Sequence, residues 1–424
     1  MEPVTHFLTG ACIGRAGLNR RTAYATLAAV LAAEAADIDT LCGLAGPVEG
    51  LKHHRGITHT FIAVPVVAAV VVGMVWLFDR WWQRRKQGVG ILALKGHGFS
   101  RADESQNEDA ALVAEGVQFD NDRFPQGLKP EISSAQRTAR LKSCPFKAKV
   151  PNAESIRWGW LYLTALVSAL SHLLLDWTNN YGLRPFFPFN PRWYEGSFVF
   201  IAEPVIWALL VSAMVIPWLL GLIGGEIGAK KKKFRGRGWA IFALTGMLLL
   251  WGWRWTEQGR ARAMAENTQI AAAPVKRMAL EPYPFNPFHW HAILETKEYY
   301  QTAEINTLSG EIVSDARQDV IYKPAVTAAT EAAKRTLLGQ VYLDWGSWAV
   351  VRDVGPEPIP VPGMKPPQLP LNRTWTTVEF YDLRFDYPFF GEARTPSKPH
   401  LSGWVYIVDG RDEAGEALDG REHR

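Results

Sequence analysis

His172 and Asp176 stand four residues apart in an apolar run, so on a helix both project from one face. A neutral imidazole and a carboxylate at that spacing can hold one divalent ion, and Zn²⁺ accepts both at about 2.0–2.2 Å. The plainer reading is an i,i+4 hydrogen bond that closes a helix end. Asp37 and Asp39 are two apart and point in different directions on a regular helix. They reach one ion, or two adjacent ones, only if the helix ends or unwinds there; otherwise they are solvated acids at a helix end. The segment His53-His54-Arg55-Gly56-Ile57-Thr58-His59 is denser in chemistry. Gly56 permits an unusual backbone conformation, which lets His54 and His59 reach inward from a turn and the following helix start. Arg55 can bind an anionic group through two hydrogen bonds. Against this stands an interfacial loop with a snorkelling Arg and exposed His.

The elements that must position these residues are apolar runs. A spanning helix needs about 20 mainly apolar residues. Ile57 to Phe78, Trp158 to Trp177, Phe198 to Ile223 and Trp239 to Trp255 meet that need, and Ala-rich Thr22 to Pro47 is long enough although it carries Glu34, Asp37 and Asp39. Basic clusters set the orientation: Arg20 and Arg21; Arg80, Arg84, Arg85 and Lys86; and Lys230 to Lys233 with Arg235 and Arg237. By the positive-inside tendency all three are cytoplasmic. Five spans then alternate without conflict, residues 83–157 form a cytoplasmic loop, and everything after Trp255 lies outside the cytoplasm. In that topology Asp37, Asp39, His53, His54, Arg55, His59, His172, Asp176 and Glu203 all fall at the outer membrane face. The orientation came from Lys and Arg alone, so this convergence is independent of it. Ionisable residues at membrane depth are costly and mark functional sites by default. His6 lies in a short apolar piece, Val4 to Ala16, about 20 Å long as a helix. A re-entrant helix brings it near the other residues, whereas a cytoplasmic surface helix keeps it away.

The chain has 424 residues, 48% hydrophobic and 21% charged, with the long apolar runs confined to the first 260. That distribution excludes a uniformly soluble enzyme and a disordered chain. Many of the 18 Trp flank the apolar runs, where indole rings favour the membrane interface. A net charge of +4 gives no case for nucleic acid, and three scattered Cys give no disulfide framework. Serine-hydrolase, Walker, HExxH and dinucleotide fingerprints are absent. Residues 261–424 read as a small α+β domain. Tyr299 to Val313, Thr376 to Phe385 and Gly403 to Val408 are strand-like, Ala325 to Leu338 is helix-like, and 355–370 is a Pro-rich connection. His289 and His291 are read as surface residues of this domain, and the last dozen residues as frayed.

The order THFLTG, AADID, HHRGITHT, SHLLLDWTNNYGLRPFFPF resembles the membrane-bound metal-dependent hydrolases, the YdjM-like bacterial inner-membrane family, over roughly the first 260 residues. Residues 261–424 resemble the extra C-terminal domain of a longer subgroup. The resemblance implies a metal-dependent hydrolase in the inner membrane. The ordered His and Asp positions are also similar to zinc-dependent phospholipase C and related nucleases. Carried over by motif, His6, Asp37, Asp39, His59, His172 and Asp176 are the implied metal ligands. Where the family pattern has Asp-Pro after the third span, this chain has Glu203-Pro204, a carboxylate one methylene longer.

The expectation is therefore a mainly α membrane protein of five spans with a short N-terminal helix, followed by an extracytoplasmic α+β domain. Its activity is hydrolysis of a phosphoester in a lipid or lipid-linked substrate with a divalent metal, Zn²⁺ or alternatively Mn²⁺. A second metal or Arg55 stabilises charge on the phosphoryl group, and no spacing assigns a separate base, a role open to Asp39 or Glu203. The rival is a non-enzymatic membrane protein, either a metal or proton transporter or a scaffold. Clustering at one face favours a site over a pathway.

Overall fold

In the computed structural model, which describes residues 1–85, 156–226, 236–387 and 401–423, the stretch from Thr22 to Pro47 is not one spanning helix. It divides into α2 (Ala25–Glu34) and a 3₁₀ segment (Ala35–Ala45). The apolar part of Trp239 to Trp255 lies in α7 (Arg237–Asn267), whose Arg254 and Glu257 interrupt its hydropathy. Three described helices are long and apolar enough to cross a membrane: α4 (Ala63–Arg85), α5 (Trp158–Thr178) and α6 (Pro204–Glu226). The expectation of five spans is corrected to three on this ground. Most of the loop at 83–157 and the lysines at 230–233 lie outside the described residues.

Small residues bring the first helices together. α1 (Pro3–Arg15) opens with Pro, whose missing N–H costs nothing in a first turn. It packs on α2 through Gly10 and Gly14. A Cβ at Gly10 would stand 2.8 Å from Ala29 O and Ala33 Cβ, and one at Gly14 would stand 2.6 Å from Thr26 Cα. Ala25, Ala28, Ala29, Ala32 and Ala33 are buried on α2, so backbone meets backbone as in close-packed membrane helices. Gly14→Val should lower the midpoint of thermal denaturation of the detergent-purified protein, by overpacking worth about 1–3 kcal/mol. An unchanged midpoint would rule out this contact.

These helices share two ends. At one, Ala16 O accepts from Arg237 Nε at 3.0 Å and Thr22 Oγ1 accepts from Arg157 N at 2.9 Å. The starts of α5 and α7 therefore meet the α1–α2 connection. At the other end α5 finishes at Thr178, just past Asp176, α2 opens into the 3₁₀ segment, and α3 (Pro47–His53) follows.

The C-terminal region forms two antiparallel sheets. The first runs β1 (Arg277–Pro282), β2 (His289–Glu295), β3 (Tyr299–Asn306), β4 (Glu311–Val313), with β5 (Val320–Tyr322) also on β3. The second has the order β10-β9-β8-β7-β6, built from β6 (Ala349–Gly355), β7 (Trp375–Asp382), β8 (Gly403–Val408), β9 (Asp412–Leu418) and β10 (Arg421–His423). The helix expected at 325–338 is two short ones, α8 (Ala328–Ala333) and α9 (Leu337–Trp345), each capped by a Thr side chain. The described part of the last dozen residues is not frayed: 413–418 and 421–423 pair in β9 and β10. Nor is His291 a surface residue, since its ring is buried against Tyr387 and bonded to Glu304 at 2.7 Å. The sheets dock on the segment after α5: Arg384 donates to Asn180 O at 2.7 Å, Trp345 Nε1 to Tyr181 O at 3.3 Å, and Arg184 pairs with Asp344 at 2.9 Å.

Candidate metal centre

Two imidazoles form the middle of the cluster. His59 Nε2 and His172 Nε2 lie 3.0 Å apart, and both rings are fully buried. Asp37 Oδ1 stands 3.3 Å from the first and 3.6 Å from the second; Asp176 Oδ2 stands 3.4 and 3.2 Å away. Two triangles of potential ligand atoms thus share the His–His edge. Ligands bound tetrahedrally at 2.0–2.1 Å are about 3.3–3.4 Å apart, so each triangle has the size of three ligands around one ion. Asp176 Oδ2 is buried and finds no hydrogen-bond donor, which a cation would remedy.

Each imidazole is aimed by its other nitrogen. His172 Nδ1 lies 2.6 Å from Ala33 O, where only an N–H is accepted, so Nε2 keeps a free lone pair. His59 Nδ1 lies 3.1 Å from Asp39 Oδ2. The unwinding of the chain after Glu34 sets this division of labour. The 3₁₀ segment turns Asp37 toward the two Nε2 atoms and Asp39 toward the back of the His59 ring. Asp39 also accepts from Arg55 N and Thr58 Oγ1, both at 2.9 Å, and meets His54 Nδ1 at 3.2 Å. His6 stacks on His172 with centroids 3.8 Å apart, and its Nε2 is 3.4 Å from Asp176 Oδ1. The N-terminal helix therefore carries His6 into the cluster.

The turn at 53–59 depends on Gly56, where a Cβ would stand 2.7 Å from His53 O; Arg55 before it adopts φ 53°. Arg55 is buried. It donates to Asp176 Oδ1 at 2.7 Å, Gly182 O at 2.6 Å and Asn179 Oδ1 at 3.3 Å, with its guanidinium over the Tyr181 ring. The Met1 amino group lies against the same Asp176 oxygen. Arg55 therefore braces Asp176 and does not face an open site. Glu203 stands apart from the cluster. It pairs with Arg254 at 2.7 Å and accepts from Phe285 N at 3.3 Å, and burial raises its carboxyl pKa against the pull of Arg254.

Charge follows the same pattern. Burial alone would push the Asp39 carboxyl up, yet hydrogen bonds with His54 and His59 hold it below the usual range. Asp37 is lowered in the same way, burial being outweighed by His59 and His172. Burial keeps His6 neutral by pushing it down to about 3. For His59, burial is outweighed by the neighbouring carboxylates of Asp176, Asp37 and Asp39, and its pKa rises to about 10. Three groups with metal-binding spacing recur here: His6-His172-Asp176, Asp37-His59-His172 and Asp37-Asp39-His54. Sequence reasoning left His54 only as able to reach inward, and named Glu34 only as an acid of the Thr22–Pro47 stretch; burial and Asp37 raise its carboxyl to about 7.

The family model of the YdjM inner membrane protein matches residues 1–261. No curated protein and no solved structure matches the chain.

Proposed function

Because the chain belongs to the YdjM inner membrane protein family and buries a His/Asp cluster with ligand spacing, we propose that it is a membrane-embedded metal-dependent hydrolase. Its substrate in this reading is a phosphoester of a lipid or lipid-linked molecule at the outer face of the inner membrane. The observation that carries the reading is the pair of ligand triangles on the His59–His172 edge. His59, His172, Asp37 and Asp176 would hold the ion, with His6 next in reach. A divalent ion there supplies a water that loses its proton near neutral pH and withdraws charge from a phosphoryl oxygen. The two imidazoles favour Zn²⁺, with Mn²⁺ the alternative. Asp39 and Ala33 O hold the imidazole tautomers. We assign Arg55 to positioning Asp176, in place of a phosphoryl contact, and give Glu203 no part in the chemistry.

Two features support a lipid substrate outside the cytoplasm. Ile38, Leu41, Leu44 and Ile57, which flank the cluster acids and His59 in sequence, are 60–87% exposed. Such a rim suits a lipid phase that continues from the apolar helices. Arg15 and Arg237 mark the opposite helix end, which the positive-inside tendency puts in the cytoplasm. The cluster and the sheets then lie on the outer side.

Mass spectrometry of the purified protein should find stoichiometric Zn or Mn. Chelation should abolish phosphoesterase activity, and metal should restore it. Metal-free protein that stays inactive on phosphoesters and lipid extracts after metal addition would overturn the reading.

A further inference from the structure

A cleft of about 460 Å³ adjoins the cluster, within the size range of small-molecule sites. One wall is Thr40, Pro47, Leu51 and His54; the other comes from the C-terminal sheet region through Leu401, Leu418 and Arg421. Tyr181 and Trp345 also line it. His54 connects the cleft to the centre, since its Nδ1 is 3.2 Å from Asp39 and its ring centroid 5.8 Å from that of His59. Tyr181 does so too, lying under the Arg55 guanidinium at 4.6 Å and against Trp345 at 4.9 Å. The wall from the C-terminal region is held in place by the bonds of Trp345 and Arg384 to residues 180 and 181.

We propose that this cleft is a headgroup subsite, in which the C-terminal domain recognises an anionic group carried by the substrate beyond the phosphoester at the metal centre. The inference rests on the hydrolase reading for the position of that phosphoester. If the lipid part leaves by the rim of Ile38, Leu41 and Ile57, the remainder of the molecule has this cleft to enter. Its apolar floor suits the carbon skeleton of a headgroup. Arg421, exposed on β10 and free of ion pairs among the described residues, offers a fork of donors to a second phosphate or a carboxylate. Asp419 on the same rim disfavours more than one such anion. Substrates with an anionic headgroup, diphosphates included, are thereby preferred to neutral or zwitterionic ones.

The test is equilibrium binding of two non-hydrolysable probes to the purified metal-loaded full chain. One is a decyl methylenebisphosphonate, with a second anionic group; the other is decyl phosphonate methyl ester, without it. Arg421→Glu should weaken the bisphosphonate by about tenfold or more, the loss of one charge-assisted hydrogen bond. It should leave the ester and the metal content unchanged, and Arg421→Lys should recover most of the loss. Equal weakening of both probes, or of neither, would overturn the subsite. Because the readout is binding, a protein that discriminates the probes through Arg421 but hydrolyses nothing would keep the subsite and discard the hydrolase.

Discussion

Asp176→Asn protein should insert and purify like the wild type, yet lose its metal and with it phosphoester turnover. The two carboxylate oxygens have different neighbours. Oδ1 accepts from Arg55 Nη2 at 2.7 Å, whereas Oδ2 has no donor and faces His59 and His172 Nε2 at 3.4 and 3.2 Å. An Asn must turn its carbonyl oxygen toward the Arg55 donor, because the amide nitrogen cannot accept. Its NH₂ then points at the two Nε2 lone pairs and occupies them with hydrogen bonds. The substitution removes a negative charge, replaces a ligand by a donor and keeps the brace on buried Arg55. Removal of outer-shell partners alone costs about 10–100-fold in metal affinity or activity, so the loss here should exceed a hundredfold. Metal analysis, thermal denaturation and turnover on the same preparation decide it. Wild-type metal content in this variant would remove Asp176 from the ligand set. Loss of expression, with no metal in the wild type, would favour a structural cluster.

The geometry was legible to different depths at different residues. The four-residue spacing of His172 and Asp176 fixes a shared helix face, and a single helix carries it out. For Asp37 and Asp39 the spacing set a condition, that the helix unwind. The structure meets it through the 3₁₀ segment after Glu34, and the same unwinding removes one expected span. What each carboxylate then touches was not legible, because it depends on which imidazole nitrogen it meets across the fold. Nor could sequence show that Ala33 contributes a carbonyl, since any residue there has one; the clue was the small side chain that lets α5 approach. Glu203 illustrates the opposite limit. Its place before Pro204, where the family pattern has Asp, left it open as a base, and sequence could not show that Arg254, 51 residues later, pairs with it. The strands β9 and β10 escaped notice because Asp412–Leu418 is rich in Glu, Gly and Ala, residues depleted in strands, and gains its order from pairing with β8.

Asp39 offers the clearest separation between a ligand and a residue that aims one. A metal ligand at this position would make Asp39→Asn and Asp39→Ala nearly equivalent, since both delete the anionic oxygen. The geometry predicts that they differ. Arg55 N and Thr58 Oγ1 both donate to Oδ2 at 2.9 Å, so an Asn keeps its carbonyl oxygen there. That same oxygen lies 3.1 Å from His59 Nδ1, and the Nε2 lone pair of His59 remains directed into the centre. The amide NH₂ falls on the His54 side, and the change is confined to charge and to the His54 tautomer. Asp39→Asn should therefore retain metal and lose about tenfold or less in turnover, at the mild end for an outer-shell partner. Asp39→Ala leaves the His59 ring free to rotate and the Arg55 N–H buried without an acceptor. It should lower metal affinity by about 10–100-fold and stability by about 1–3 kcal/mol. Metal affinity from competition with a chelator of known strength, measured for both variants beside wild type, gives the answer. Equal and complete loss in the two would place Asp39 on the metal itself and make the unwound segment a two-carboxylate arm. A loss confined to Ala would leave Asp37 as the segment's ligand and Asp39 as the residue that holds His59 in place.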